Sequence, residues 1–199
     1  MDKIFTLVNS LKNKTKLQII IILLKYGSMT ATQISKKIGT TRSNVYQLMK
    51  ELLEDGIVQL KETRVVKNYV EKFYKLNIDL FLEIKTKDLL SEINKMEVND
   101  LREIIKNFLN ASSLVLNTME EEINFMSIEE LSELKENILK NMVILSISSL
   151  TEKHSKRFSE IFNNFMNEIE SEESNMDKDE NFLIVILFPL LLNNSKINN

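Results

Sequence analysis

The 199-residue sequence has no cysteine or tryptophan, one histidine, one proline and three glycines. Because cysteine is absent, disulfides, thiolate metal sites and cysteine nucleophiles are excluded. The single histidine, His154, leaves almost nothing for a zinc site, and we interpret it as a core or interface residue. Walker A, GxGxxG, HExxH and nucleophile-elbow motifs are also missing. We therefore expect no enzymatic activity, no cofactor and no bound metal.

Long apolar runs are lacking as well. The longest spans residues 182–192 and has eleven residues, whereas a membrane-spanning helix needs about 20. The first residues have neither an apolar h-region nor a small-residue cleavage site, which predicts no signal peptide. We expect a cytoplasmic protein without a membrane partner.

Positive charge is concentrated in the first part of the chain, although the net charge is only −3. Residues 1–77 contain 14 Lys and Arg against 6 Asp and Glu, and residues 78–199 contain 12 against 23. This asymmetry predicts two domains, 1–77 and 78–199, and a nucleic acid or another anionic partner for the first. The alternative is a solvated basic face without a partner.

All three glycines lie in the basic part, each at the end of an apolar-periodic segment. Gly27, Gly39 and Gly56 are placed where a helix ends in a residue of positive φ, which glycine adopts without a steric penalty. They predict helices near 3–11, 14–26, 31–38 and 42–54. Helix 14–26 is apolar without interruption from Ile19 to Leu24, which predicts burial against its own domain and against a partner.

Two of these helices form a tight pair. Thr30 and Gln33 form a predicted capping box at the start of helix 31–38. Thr41 is the predicted N-cap of the next helix, whose buried stripe is Val45, Met49 and Leu52. The turn between the helices has only three or four residues, a length that sets them at a steep angle.

After Gly56 the pattern changes to one typical of strands. Residues 57–61 and 68–76 are predicted to form a β-hairpin joined by a charged loop. In the second strand, Val70, Tyr74 and Leu76 share one face.

From about residue 77 onward, helix is predicted throughout. A stripe at near-heptad spacing runs along residues 101–123, interrupted only by Ser112, and Ser127 with Glu130 forms a second capping box. The stripe then continues through Leu131, Leu134, Ile138, Met142, Leu145, Leu150, His154, Phe158, Ile161, Phe165 and Ile169. An unbroken helix 128–172 is about 68 Å long. Such a helix favours a coiled coil or an extended dimer bundle.

A second interpretation of this region stays open. Residues 141–150 and 182–190 can form strands around a shorter helix 152–172, which gives a small β-α-β effector module. Short apolar runs do not distinguish helix from strand. Residues 171–181 are predicted to be a solvated linker in both cases.

A tight helix pair followed by a hairpin predicts a winged helix-turn-helix domain, with helix 41–54 in the major groove of DNA. Arg42, Asn44 and Gln47 have donors and acceptors that suit base edges. The complete predicted DNA-binding set is Thr40, Thr41, Arg42, Ser43, Asn44, Tyr46, Gln47, Lys50, Arg64 and Lys67. Each residue also has a structural alternative: Asn44 can satisfy its own helix end, Tyr46 can lie at the core edge, and a basic side chain can simply be solvated.

The segments "LKNKTKLQIIIILL" and "ATQISKKIGTTRSNVYQLMKELLEDGIV" resemble ArsR-type winged-helix repressors, and "VEKFYKLN" resembles their second wing strand. The resemblance covers residues 1–77 and implies a DNA-binding regulator. The helical second half is similar in layout to archaeal heat-shock regulators of this group. Metal-sensing members carry cysteines or His/Asp clusters that this sequence lacks, so no metal sensor is implied. Lys12 replaces a small residue at the first helix junction.

The sequence therefore predicts a mainly α protein, with an N-terminal winged helix-turn-helix domain, a two-stranded wing and a long-helix C-terminal dimerisation region. We expect a homodimeric transcription regulator, most simply a repressor, that binds double-stranded DNA. Its dimer contacts are predicted in the C-terminal helices and helix 14–26. The alternative function is a winged-helix protein-interaction scaffold that does not bind DNA. No residue pattern identifies an operator or a small-molecule effector.

Overall fold

The computed structural model describes residues 3–66, 69–84, 86–140 and 152–172. The chain is mainly helical, with one small antiparallel sheet, and it divides into two compact units, Met1–Leu131 and Ser132–Asn199. Within the described ranges, no helix is long and apolar enough to cross a membrane.

The structure confirms the predicted bounds of the four N-terminal helices. They are α1 Lys3–Leu11, α2 Lys14–Tyr26, α3 Ala31–Ile38 and α4 Arg42–Glu54. Gly27, Gly39 and Gly56 all have positive φ, between 68° and 74°. Asn13 caps α2, accepting hydrogen bonds from the N–H groups of Thr15 and Lys16. Local signals of capping and chain reversal thus determine where these helices begin and end.

The sheet contains β1 Met29–Thr30, β2 Val58–Val66 and β3 Tyr69–Leu76, in the spatial order β1-β3-β2. The sequence predicts a charged loop between residues 61 and 68. This prediction was wrong for residues 62–66, which belong to β2. The register shifts between Leu60, which pairs with Tyr74, and Glu62, which pairs with Phe73. This bulge interrupts the period-two alternation by which a strand is recognised in a sequence.

The core of the first unit is built around α2. Ile19 and Ile22 are fully buried, and Ile34 of α3 with Leu52 of α4 belongs to the same cluster. α2 packs against α3, β3 and a long helix further along the same chain, α7 Val98–Phe125. Helix α7 of the same chain therefore packs on the apolar surface of α2, for which the sequence analysis predicted contact with a partner.

Between the sheet and α7 lie two short helices that the sequence analysis does not separate, α5 Ile78–Glu83 and α6 Thr86–Asn94. Lys12, the unusual residue at the first helix junction, forms an ion pair with Asp100 of α7 at 2.6 Å. The buried Asn107 donates hydrogen bonds from Nδ2 to the carbonyls of Lys12 at 2.7 Å and Leu11 at 3.3 Å. These contacts satisfy carbonyls that the end of α1 leaves free.

The last two described helices are α8 Ile128–Lys140 and α9 Glu152–Glu172. The capping box before α8 is confirmed: Ser127 N–H donates to Glu130 Oε2 at 2.7 Å, and Glu130 N–H donates to Ser127 Oγ at 3.2 Å. Residues 171 and 172, predicted as linker, are helical. His154 is exposed in the single chain, so a core position is wrong, and the alternative of an interface position stays a prediction.

Several predictions for this region lie outside the described residues. Whether 128–172 is one helix depends on residues 141–151, which the structure does not describe. The strands proposed at 141–150 and 182–190, and the linker beyond residue 172, are outside the described ranges as well. These interpretations stay predictions.

Candidate nucleic-acid interface

Local hydrogen bonds fix both ends of α3, and with its end they fix the turn that leads to α4. At the start of α3, Gln33 N–H donates to Thr30 Oγ1 and Thr30 N–H donates to Gln33 Oε1, which is the predicted capping box. At the end of α3, Gly39 has left-handed geometry with φ 68° and ψ 37°. Thr40 N–H then donates to the carbonyl of Ser35 at 3.0 Å. The turn is thereby held in one conformation, which sets the direction of α4.

Three of the predicted contact residues form hydrogen bonds with one another at the first turn of α4. Thr41 is the N-cap, and its Oγ1 accepts from Asn44 N–H at 3.2 Å. Asn44 donates from Nδ2 to Thr40 Oγ1, also at 3.2 Å. The half-buried Asn44 thus has one side-chain donor bound to Thr40 within the turn, while the helix-end N–H of Asn44 is satisfied by Thr41.

One face of α4 is polar and open to solvent, and the opposite face is buried. Val45, Leu48, Met49 and Leu52 are buried, so α4 is supported by the core along its whole length. The exposed residues among the predicted contacts on α4 and its cap are Thr41, Arg42, Ser43, Tyr46, Gln47 and Lys50. No aliphatic side chain of α4 is exposed.

The exposed side chains of α4 form weak contacts along the helix. Gln47 Nε2 lies 3.5 Å from Glu51 Oε1, and Lys50 Nζ lies 3.8 Å from Glu54 Oε1. The Lys50 side chain is 79% exposed. Ion pairs of this kind contribute at most about 0.5 kcal/mol, so an incoming ligand replaces them at little cost.

Arg42 is held more firmly than its neighbours. Its Nη2 donates to Tyr46 Oη at 3.3 Å, and its guanidinium carbon lies 5.2 Å from the centroid of the Tyr46 ring. The hydrogen bond with Tyr46 raises the pKa of Arg42, and Glu71 of β3 contributes in the same direction. Arg42 is therefore cationic at every relevant pH. Strand β2 of the wing packs against α4.

On the wing, Arg64 is positioned by two contacts that sequence reasoning missed. Its guanidinium carbon lies 4.5 Å from the centroid of the Phe73 ring, and its Nη2 donates to Glu62 Oε1 at 2.6 Å. The alternation of apolar and polar residues in the two strands is the sequence signal that could have identified these contacts. The bulge at Lys61 shifts the register, so the alternation does not show that Arg64 lies beside Phe73. Lys67, the other predicted wing contact, lies outside the described residues.

Lys16 supports α4 from behind. Lys16 of α2 pairs with Glu51 at 3.0 Å and with Asp55 at 3.5 Å, and the Lys16 side chain is only 13% exposed. Beneath the wing, burial raises the pKa of Tyr74, and nearby Tyr46 adds to the effect. The exposed face of α4 is thus the outer surface of a well-anchored helix.

Residues 12–59 match the winged helix-turn-helix DNA-binding family. The chain therefore contains a winged helix-turn-helix domain, and the match includes α3, the turn and α4 but ends within β2. No curated protein is similar enough in sequence to count as a match.

Several solved structures are similar to this chain. HlyU from Vibrio cholerae is 22% identical, with a TM-score of 0.31, over 46% of this chain and 89% of that one. A mutant of ZitR from Lactococcus lactis, in its apo form, is 17% identical, with a TM-score of 0.27, over 66% and 80%. PadR from Bacillus subtilis, in complex with operator DNA, is 17% identical, with a TM-score of 0.28, over 79% and 96%.

The described ranges contain no group of three or more His, Asp or Glu residues arranged to hold a metal ion. The exposed face of α4 presents hydrogen-bonding side chains and the positive charges of Arg42 and Lys50.

Proposed function

We propose that the protein is a sequence-specific, DNA-binding transcription regulator that acts as a homodimer. The observation that carries this proposal is the polar, solvent-open face of α4, supported by the core and flanked by the wing. An α-helix of this kind fits the major groove, with the side chains near its N-terminus at the base edges. The family match of residues 12–59 supports the same function.

The contacts divide into two groups by chemistry. Arg42 and Gln47 carry the base-reading donors and acceptors, and Tyr46 holds the Arg42 side chain along the exposed face of α4. Thr40, Thr41, Ser43 and Lys50 bind phosphates, with help from the positive end of the α4 dipole. Arg64 and Lys67 on the wing contact the adjacent backbone or minor groove. Asn44 has one donor committed to Thr40, so its contribution to base reading is secondary.

We further propose that the regulator is cytoplasmic, ArsR-like and a repressor that occupies a promoter. Two winged-helix domains, contributed by residues 1–77 of each copy, bind half-sites about 34–36 Å apart on DNA. Residues 78–199 provide the dimer contacts. α2 has its packing partner in α7 of the same chain, so the C-terminal helices carry the association.

A salt titration tests DNA binding directly. Phosphate contacts release counterions, so affinity for a duplex falls steeply between about 50 and 200 mM salt. Fluorescence anisotropy of a labelled random-sequence duplex should show this at two salt concentrations, followed by selection of preferred sequences from a random pool. If neither random nor selected duplexes bind at low salt, the proposal is wrong.

Substitutions assign the helix that enters the groove. Arg42→Ala and Gln47→Ala should each weaken binding to a selected duplex by about 10-fold or more, because a good base contact is worth about 1–3 kcal/mol. Arg157→Ala removes the same charge from α9, outside the first unit, and is the matched control. If Arg42→Ala and Gln47→Ala are silent, a different element contacts the bases.

A second candidate is a protein-interaction scaffold, and one feature of the wing favours it. Val65 and Val70 face each other across the hairpin and are 77% and 51% exposed. An exposed apolar pair suits a protein surface. Val65→Ser with Val70→Ser separates the two functions, because it removes an apolar contact and leaves Arg64 in place for DNA.

A further inference from the structure

Helix α7 carries a second apolar face that remains exposed. Five of its large apolar side chains are between 38% and 61% exposed: Ile105, Leu109, Leu116, Met119 and Ile123. Their positions follow the alternating spacing of four and three residues, with Ser112 in the one gap. This is the seam of a coiled coil, in which residues at such spacing meet those of a second helix.

The exposed face is distinct from the face that packs on the protein's own core. Ile104, Asn107, Ala111, Val115 and Thr118 are buried and lie about a third of a turn away from the exposed stripe. Ser112 is also buried, and its Oγ donates to the carbonyl of Phe108 at 2.9 Å, so it brings no unsatisfied group to the seam. A second helix can therefore cover the stripe without displacing α1 or α2.

We propose that this face, from Ile105 to Ile123, pairs with the same face of a second copy, and that the two α7 helices run antiparallel. The inference takes up the homodimer of the proposed function and names its surface and orientation. The occupant is a second copy because the charges beside the stripe are complementary to themselves only in that arrangement.

The charge argument concerns three residues spaced seven apart on the solvent side of the stripe: Lys106, Ser113 and Glu120. In an antiparallel pair centred near Ser113, Lys106 lies opposite the partner's Glu120, and Glu120 lies opposite the partner's Lys106. A parallel pair instead sets Lys106 beside Leu101 and Glu120 beside Val115. Opposite charges at these flanking positions determine the orientation of coiled coils.

The existing partner of Lys106 is easily exchanged. Lys106 pairs with Glu103 in the same helix at 2.8 Å, and both side chains are more than half exposed. Such surface pairs are weak. On the other flank, Glu122 is bound to Lys25 and Tyr26 of the same chain, which leaves the flank of Lys106 and Glu120 for the partner.

Sedimentation of the full-length chain tests the surface. The unmodified protein should be a dimer, and Leu116→Glu should raise its dissociation constant at least about 100-fold, because it buries an unpaired carboxylate in each copy. Val65→Glu, which places the same charge on the exposed wing, should leave the dimer intact. Circular dichroism checks that both variants are folded. A monomeric wild type, or a folded Leu116→Glu variant that stays dimeric, overturns the proposal.

Two further measurements test the orientation. Lys106→Glu and Glu120→Lys should each weaken the dimer about threefold to tenfold, and the double variant should recover it. Because the chain has no cysteine, Ser113→Cys should be joined across the dimer by a short bis-maleimide linker, whereas Leu109→Cys should not. Efficient linkage at Leu109→Cys, or no recovery in the double variant, contradicts an antiparallel pair.

The outcome is separable from the DNA-binding proposal. If the protein is a monomer that binds duplex DNA, the proposed α7 interface is refuted and the DNA-binding proposal stands. A dimer with the expected Leu116→Glu response but no affinity for DNA does the reverse.

Discussion

The Arg42 guanidinium lies over the Tyr46 ring one helical turn away, with 5.2 Å between its central carbon and the ring centroid. The two side chains also share a hydrogen bond of 3.3 Å. A flexible arginine thereby loses rotamer freedom before any ligand arrives, and less entropy remains to be lost on binding. The exposed Tyr46 thus holds the Arg42 side chain in place on α4.

We expect Tyr46→Phe to weaken binding to a selected duplex by about twofold to fivefold, because it removes one hydrogen bond but keeps the ring. Tyr46→Ala removes both and should weaken binding more, by about 10-fold. Fluorescence anisotropy measures both variants. If Tyr46→Ala binds as tightly as the unmodified protein, Arg42 does not depend on Tyr46.

Gly39→Ala should lower the free energy of unfolding by about 1 kcal/mol, because an L-residue with a Cβ is strained at the left-handed φ of this position. A Cβ at Gly39 meets no atom within 4 Å, so the cost is one of backbone conformation alone. Gly39→Asn is the matched control, since asparagine tolerates this region and should cost less. Urea denaturation compares the two, and equal losses would assign the effect to something other than φ.

Asn107→Ala should cost about 1–3 kcal/mol of stability, because two carbonyls at the end of α1 lose their buried donor. Asn110 provides the control on the same helix. It is exposed and donates only to the carbonyl of Lys106, at 2.8 Å, so Asn110→Ala should change stability by less than about 0.5 kcal/mol. Thermal or urea unfolding of both variants measures the difference, and similar values would argue against the role of Asn107.

Glu122 predicts a small dependence of stability on pH. Partial burial acts to raise the pKa of Glu122, but hydrogen bonds from Lys25 and Tyr26 outweigh it, so the pKa is lowered. A lowered pKa means that Glu122 stabilises the fold above its unfolded value of about 4.3, and that this contribution disappears as pH falls through the folded value.

Glu122→Gln should therefore destabilise the protein slightly at pH 7, and the difference from wild type should shrink as the pH falls below the unfolded value of about 4.3. High salt should reduce it as well, since the site is exposed. Glu121→Gln, one residue earlier on the exposed side, is the control. A difference that stays constant with pH would mean that the Lys25 and Tyr26 contacts do not involve the charge of Glu122.

Local signals in the sequence were sufficient for the helices of the winged-helix domain. Thr30, Gly39 and Thr41 act through capping and positive φ, which depend on a few neighbouring residues, so these boundaries can be predicted without tertiary information. The solvent-facing row on α4 followed from the same reasoning, because the buried stripe fixes which side remains outside.

Features that depend on distant contacts could not be predicted in this way. The bulge at Lys61 alters the pairing of β2, and with it the contact of Arg64 with Phe73. Asn107 looks like a polar residue inside an apolar stripe until the carbonyls of α1 are placed beside it. The apolar residues of α7 formed one stripe in the sequence, whereas in three dimensions they divide into a core face and an exposed face. Periodicity alone does not tell which of two faces a neighbour will cover.

The cluster at the end of α2 makes the winged helix dependent on the rest of the first unit. Lys25 and Lys37 lie over the Tyr26 ring at 4.9 and 4.0 Å, and Glu122 of α7 ties Lys25 and Tyr26 from the other side. In a fragment that ends after the wing, these contacts with Glu122 are lost. The isoleucines of α2 that pack against α7 are then exposed to solvent. The helix-turn-helix of this chain consequently depends on α7. If it is transferred to another protein without α7, we expect it to aggregate through the exposed core residues of α2.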